Sequence, residues 1–124
     1  MRLFRYILAV ALLFSACLCT LAQQDRHDVR SGNRKFRRQD YKSAEIEYRK
    51  ALVKDSTSVT ANYDLGNTLY RQENFEEAGK TLSAAGKNAI TSSQIADVFY
   101  NQGNVAVRKR DWQSAVDAYK RSLL

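Results

Sequence analysis

The sequence predicts an all-α fold, an α-solenoid of about three stacked helical hairpins. Three observations carry this. A Gly-Asn pair, an aromatic residue nine positions after the glycine and an alanine three further on recur as Gly32-Asn33…Tyr41…Ala44, Gly66-Asn67…Phe75…Ala78 and Gly103-Asn104…Trp112…Ala115. The first two copies are offset by 34 residues and the third by 37. Such periods mark stacked arrays, in which each unit buries its apolar face on its neighbours. Within each copy the apolar residues fall at helical steps of three and four. They are Tyr41, Ala44, Tyr48, Ala51 and Leu52, then Phe75, Ala78, Leu82 and Ala85, then Trp112, Ala115, Tyr119 and Leu123.

Residues 1–22 read as a segment outside the array. Met1-Arg2-Leu3-Phe4-Arg5 is a short basic start, Tyr6 to Leu13 is an unbroken apolar run, and small residues lead to Ala22. This is the layout of an export signal, with Thr20 and Ala22 at the −3 and −1 positions of a cleavage after Ala22. Two other readings stand beside it. Phe14-Ser15-Ala16-Cys17 loosely resembles a bacterial lipobox, which would make Cys17 a lipid attachment site. The apolar stretch is also long enough for an uncleaved anchor. All three make the protein exported, periplasmic or associated with the inner membrane. Both cysteines, Cys17 and Cys19, lie in this segment. A cleaved chain would therefore carry no disulfide, thiol nucleophile or thiolate metal site.

The array occupies residues 23–124, with units expected at 25–58, 59–92 and 96–124. In the first unit, helix A is expected over Arg26 to Arg38 and helix B over Tyr41 to Val53. Asp40 stands between them as an N-cap, and Asn74 and Asp111 hold the same slot in the other units. The repeated alanine is small because antiparallel helices joined by a tight turn approach closely, and the repeated glycine does the same on helix A. Gly79 and Gly86 interrupt helix B of the second unit, each costing roughly 1 kcal/mol relative to Ala. Three extra residues before the third unit are expected as a longer, soft loop around Lys87 to Ser93. Leu124 falls inside the last helix B, which leaves Trp112, Val116, Tyr119 and Leu123 without a cap. Either a longer protein continues here, the favoured expectation, or this end is a contact surface.

Tyr63-Asp64-Leu65-Gly66-Asn67-Thr68-Leu69-Tyr70…Phe75…Ala78 resembles a tetratricopeptide repeat over most of its length, and the flanking units resemble it with gaps. No proline is present, so Ser56 and a position near Ile90 stand where the repeat's helix-ending proline is usual. The order of features is similar to the repeat protein of Bacteroides aerotolerance gene clusters. Those features are a signal segment, a basic first unit with Gly32-Asn33-Arg34-Lys35-Phe36 and Glu45 to Leu52, and a stretched second junction. That resemblance implies an envelope complex with von Willebrand A-type domain membrane proteins as partners.

In such arrays the A helices line the concave face, and three rows recur on them. Val29, Tyr63 and Tyr100 form one row, Asn33, Asn67 and Asn104 a second, and Arg37, Arg71 and Arg108 a third. Spacings of four residues put the rows on one helix face. Amides, guanidinium groups and tyrosines together suit an extended peptide. The blander reading is that the asparagines satisfy neighbouring groups and the arginines are merely solvated. A carboxylate clamp of the kind some of these repeats carry is not expected. Asn33 fits one, but Val29, Asp64, Asp97 and Asn101 stand at its other positions, and the aspartates would repel a carboxylate.

Charge gives the alternative function. The chain is +7 overall, and ten of its basic residues lie between Arg26 and Lys54. That bias suits a membrane surface or another polyanion, although nucleic acid is not expected as a partner of an exported protein. No arrangement of nucleophile and base or of paired carboxylates is evident, and the lone His27 lacks companion ligands. The expectation is a non-enzymatic binding scaffold without metal or cofactor.

Overall fold

A computed structural model describes residues 1–15 and 26–124 with their side chains. The expected cleavage after Ala22 and the alternative lipid site at Cys17 lie outside the described residues. Six helices and no strand are found among the described residues: α1 (Arg2–Arg37), α2 (Tyr41–Lys54), α3 (Val59–Arg71), α4 (Phe75–Asn88), α5 (Ser92–Arg108) and α6 (Trp112–Ser122). The all-α array is as expected. The first helix A is not a separate element, however, because it is the C-terminal part of the long α1. Every side chain from Met1 to Ser15 is exposed, and no helix among the described residues is long and apolar enough to cross a membrane.

The helices pair as α1–α2, α3–α4 and α5–α6, and the pairs stack through α2 on α3 and α4 on α5. The backbones of α1, α3 and α5 also approach one another in succession, whereas those of α2, α4 and α6 stay further apart. Closer spacing in one layer than in the other bends the stack toward the first, so α1, α3 and α5 line the inner side. The core runs along the seam. Ala44, Ala51, Ala61, Ala78, Leu65, Leu69 and Leu82 are all at most 2% exposed.

Each hairpin turn is built alike. Asp40, Asn74 and Asp111 accept the backbone N–H of Ser43, Glu77 and Ser114, which satisfies one of the free donors at each helix start. The residue before each cap, Gln39, Glu73 or Arg110, is left-handed at φ 62°, 62° and 60°. An aromatic pair wedges the first two turns edge to face, Phe36 on Tyr41 at 5.2 Å and Tyr70 on Phe75 at 5.4 Å.

The second junction departs from expectation. The three extra residues do not lengthen a loop. Helix α4 runs to Asn88 and α5 begins at Ser92, and α5 has 17 residues against 13 in α3. The insertion is one more turn of helix, held by a capping box in which Thr91 accepts from the Gln94 N–H and the Gln94 side chain accepts from the Thr91 N–H.

On α6 Trp112 (61% exposed) and Val116 are exposed, as is Leu123 at its C-cap, while Tyr119 is half-buried.

Candidate functional site

Two clefts lie on the inner side and share Phe36 and Asn67. One, of about 190 Å³, is lined by Asn33, Phe36, Arg37, Tyr48, Asp64 and Asn67. The other, of about 390 Å³, runs along α3 and α5 past Asn67, Tyr70, Arg71, Glu73, Asn101, Asn104 and Arg108. Together they form one trough. Six of the nine residues expected from the sequence line it: Asn33, Arg37, Asn67, Arg71, Asn104 and Arg108.

The other three are placed differently. Val29 is a correction, because it is only 8% exposed and packs in the core. It packs in one cluster with Ala44, Tyr48 and Ala51 of α2, so burial claims it. Tyr63 is half-buried, and its hydroxyl accepts from the Asn101 side-chain amide at 2.9 Å. Tyr100 is 55% exposed and leans on the Tyr119 ring at 5.9 Å. Neither lines the two clefts.

The asparagines have structural partners. Tyr48 Oη donates to Asn33 Oδ1 at 2.6 Å, and Tyr119 Oη donates to Asn104 Oδ1 at 2.7 Å. These bonds tie helix A to helix B across the repeated glycine, whose missing side chain admits the tyrosine ring. A Cβ on Gly32 would lie 2.5 Å from Tyr48 Cε1, and one on Gly103 would collide with Tyr119 in the same way. In the middle hairpin the equivalent residue is Leu82, against which a Gly66 Cβ would lie 2.6 Å away. Leucine has no hydroxyl. Asn67 Oδ1 therefore accepts from another hairpin, from Asn101 Nδ2 at 2.8 Å. Asn101 is thus one link between the second and third hairpins, a role its position in the sequence does not show.

Charge in the trough is uneven. Arg108 sits 4.9 Å over the Phe75 ring and reaches Glu73 Oε1 at 3.4 Å. Arg71 and Arg37 are exposed and have no carboxylate within 4.0 Å among the described residues. Asp64 supplies the opposite sign. Burial pushes its carboxyl up to about 6, because desolvation disfavours the charged form. Burial together with that neighbouring charge raises the Tyr48 phenol as well.

Outside the trough, the basic first unit is partly neutralised. Lys35 binds Glu47 at 2.9 Å and holds its carboxyl below the usual range. Arg49 joins α2 to α4 through Glu77 at 2.6 Å, and Lys54 pairs with the buried Asp28. Arg26, Arg30, Arg34, Arg37 and Arg38 remain exposed, with no carboxylate partner among the described residues. No group of three or more potential metal ligands occurs among the described residues.

Comparison with known proteins agrees with this geometry. Residues 29–93 match the family described as "Tetratricopeptide repeat". The type IV pilus assembly protein PilF of Pseudomonas aeruginosa is 33% identical over 82 residues, covering 66% of this chain and 32% of that protein. The chain thus spans about a third of that relative's length. Among solved structures, the N-terminal domain of stress-induced protein-1 (STI-1) from C. elegans superposes with a TM-score of 0.76 at 21% identity. That match covers 83% of this chain and 84% of the other, and establishes the shared fold. The chain belongs to the tetratricopeptide repeat family, whose helical arrays serve as scaffolds for protein–protein interaction.

Proposed function

We propose that the protein is an exported scaffold of a bacterial envelope complex that holds an extended segment of a protein partner in the trough along α1, α3 and α5. The observation that carries this reading is the continuity of the two clefts through Phe36 and Asn67. Arg71 lies free in the larger one to meet a carboxylate. The export-signal layout supports placement at the periplasmic side of the inner membrane. A relative that serves type IV pilus assembly supports work within a multi-protein structure. Von Willebrand A-type domain membrane proteins, the partners implied by the likeness to the aerotolerance clusters, are the first candidates. The test is capture of such a domain by the full chain from solubilised envelope. A defined partner should survive roughly 0.5 M salt, where exposed charges are largely screened, and disappear with Arg71→Glu. A partner indifferent to Arg71→Glu would place its contact elsewhere.

One observation favours a second reading, attachment to an anionic membrane surface. Arg26, Arg30 and Arg34 recur every four residues along α1, with Arg38 at its C-cap, and the same helix carries the exposed, largely apolar stretch from Leu3 to Phe14. Vesicles containing anionic lipid should then bind the full chain in preference to neutral ones. Arg30→Glu/Arg34→Glu should abolish that preference.

A further inference from the structure

The smaller cleft has a chemistry that the trough as a whole does not define. Asp64 stands on α3 and lines it with Asn33, Phe36, Arg37, Tyr48 and Asn67. Three of the polar groups around it, Tyr48, Asn33 and Asn67, are committed elsewhere. The Tyr48 hydroxyl donates to Asn33, and the Asn67 carbonyl oxygen accepts from Asn101. Among the described residues, no hydrogen bond or ion pair reaches the Asp64 carboxylate, and Arg37 in the same cleft forms none with it. A half-buried carboxylate that lines a cleft without a protein partner is incompletely solvated, and a bound cation would relieve it.

Size and walls narrow the class of ligand. At about 190 Å³ the cleft is smaller than the roughly 300 Å³ at which small-molecule pockets begin, so it suits one side chain. The Phe36 and Tyr48 rings line it, and such surfaces pack the methylene stem of a long cationic side chain and attract its head. Arg71, which lines only the neighbouring cleft, leaves a place for a carboxylate further along the same segment.

We propose that this cleft receives a single lysine or arginine side chain of the bound segment, with Asp64 as its counter-ion. This rests on the reading of the trough as a peptide groove. It gives that groove a polarity: a basic residue of the partner at α1 and α3, an acidic one toward Arg71.

The probe is a library of random peptides displayed on phage, selected on the full chain in detergent. Selected peptides should share one Lys or Arg. Asp64→Asn should weaken them roughly tenfold or more, replacing that residue by glutamine should do the same, and the two changes together should cost no more than either alone. Asp64→Asn preserves side-chain shape and removes an unpartnered charge, so helical content and thermal unfolding should show a folded array. Peptides that lack a shared cation, ignore Asp64→Asn and are lost with Arg71→Glu would overturn the cation site and leave the groove standing. Peptides indifferent to both substitutions would overturn the groove as well.

Discussion

The outer hairpins and the middle one use the same repeat position in opposite ways. Tyr48 and Tyr119 fill the space beside Gly32 and Gly103 and bind Asn33 and Asn104 within their own hairpins. Leu82 fills the space beside Gly66 and leaves Asn67 to join the next hairpin through Asn101. One lost hydroxyl converts an internal lock into a link between units. A residue that recurs in a repeat therefore keeps its place more faithfully than its partner.

The largest effect should come from filling the tyrosine-backed space. Gly32→Ala puts a Cβ 2.5 Å from the ring of Tyr48, which is 1% exposed, and should cost about 3 kcal/mol by thermal or denaturant unfolding. Gly66→Ala meets Leu82 Cγ at 2.6 Å, a smaller side chain than the Tyr48 ring, and should cost less, about 2 kcal/mol. Equal losses would remove the distinction between ring and branched chain.

Asp64, at the boundary between the first hairpin and the middle one, gives a signal of comparable size. Its carboxyl is raised from 3.8 to about 6 in the folded chain, so the folded state binds the proton more tightly than the unfolded one. Its contribution is most favourable below pH 4, declines as pH rises from about 4 to 6, and is constant above that, a span of about 3 kcal/mol. Glu47 and Glu77, lowered by their bonds to Lys35 and Arg49, act in the opposite sense as pH falls. The measurement is accordingly the difference between the wild type and Asp64→Asn across pH. A difference that does not change with pH would mean that Asp64 is not raised by burial.

Asn101→Ala should cost about 1.5 kcal/mol through the loss of its bonds to Tyr63 and Asn67. Hydrogen exchange should quicken in α5 and α6 but not in α1 and α2. Tyr48→Phe, which removes one internal bond, should cost about 1 kcal/mol, and Tyr119→Phe less because that residue is half-buried. Gly79→Ala has the opposite sign. Its Cβ would find only Val105 at 3.5 Å, an ordinary contact, so the chain should gain about 0.5–1 kcal/mol in helix propensity.

These contrasts also show what a sequence can carry. Asp40, Asn74 and Asp111 were legible as caps because capping depends on three consecutive residues and a backbone N–H. Gly32, Gly66 and Gly103 were legible because periodicity placed them at close helix contacts. The insertion was misread as a loop although Thr91 and Gln94 spell the start of a helix, because a change of period draws attention to length and away from capping. The arginines and asparagines of the trough were found by periodicity, and Val29 was miscounted by the same rule, since a row ignores where the first unit begins to bury its face. Asp64 appeared only as a residue that would repel carboxylates. Its lack of a partner depends on where Tyr48 and Asn67 spend their hydrogen bonds, which is a property of three helices at once.

The three left-handed turn residues give the array a geometric regularity beyond its residues. Gln39, Glu73 and Arg110 have unrelated side chains and nearly one φ, so each hairpin is folded at the same joint. A joint repeated at one angle generates a screw. The extra turn of α5 is added at Ser92, the end of that helix remote from its joint at Arg110. Distances measured from joint to trough are therefore the same in successive units, and Asn104 and Arg108 continue the spacing set by Asn67 and Arg71. The inner face is thereby a ruler whose graduations survive a change in the length of the units that carry them.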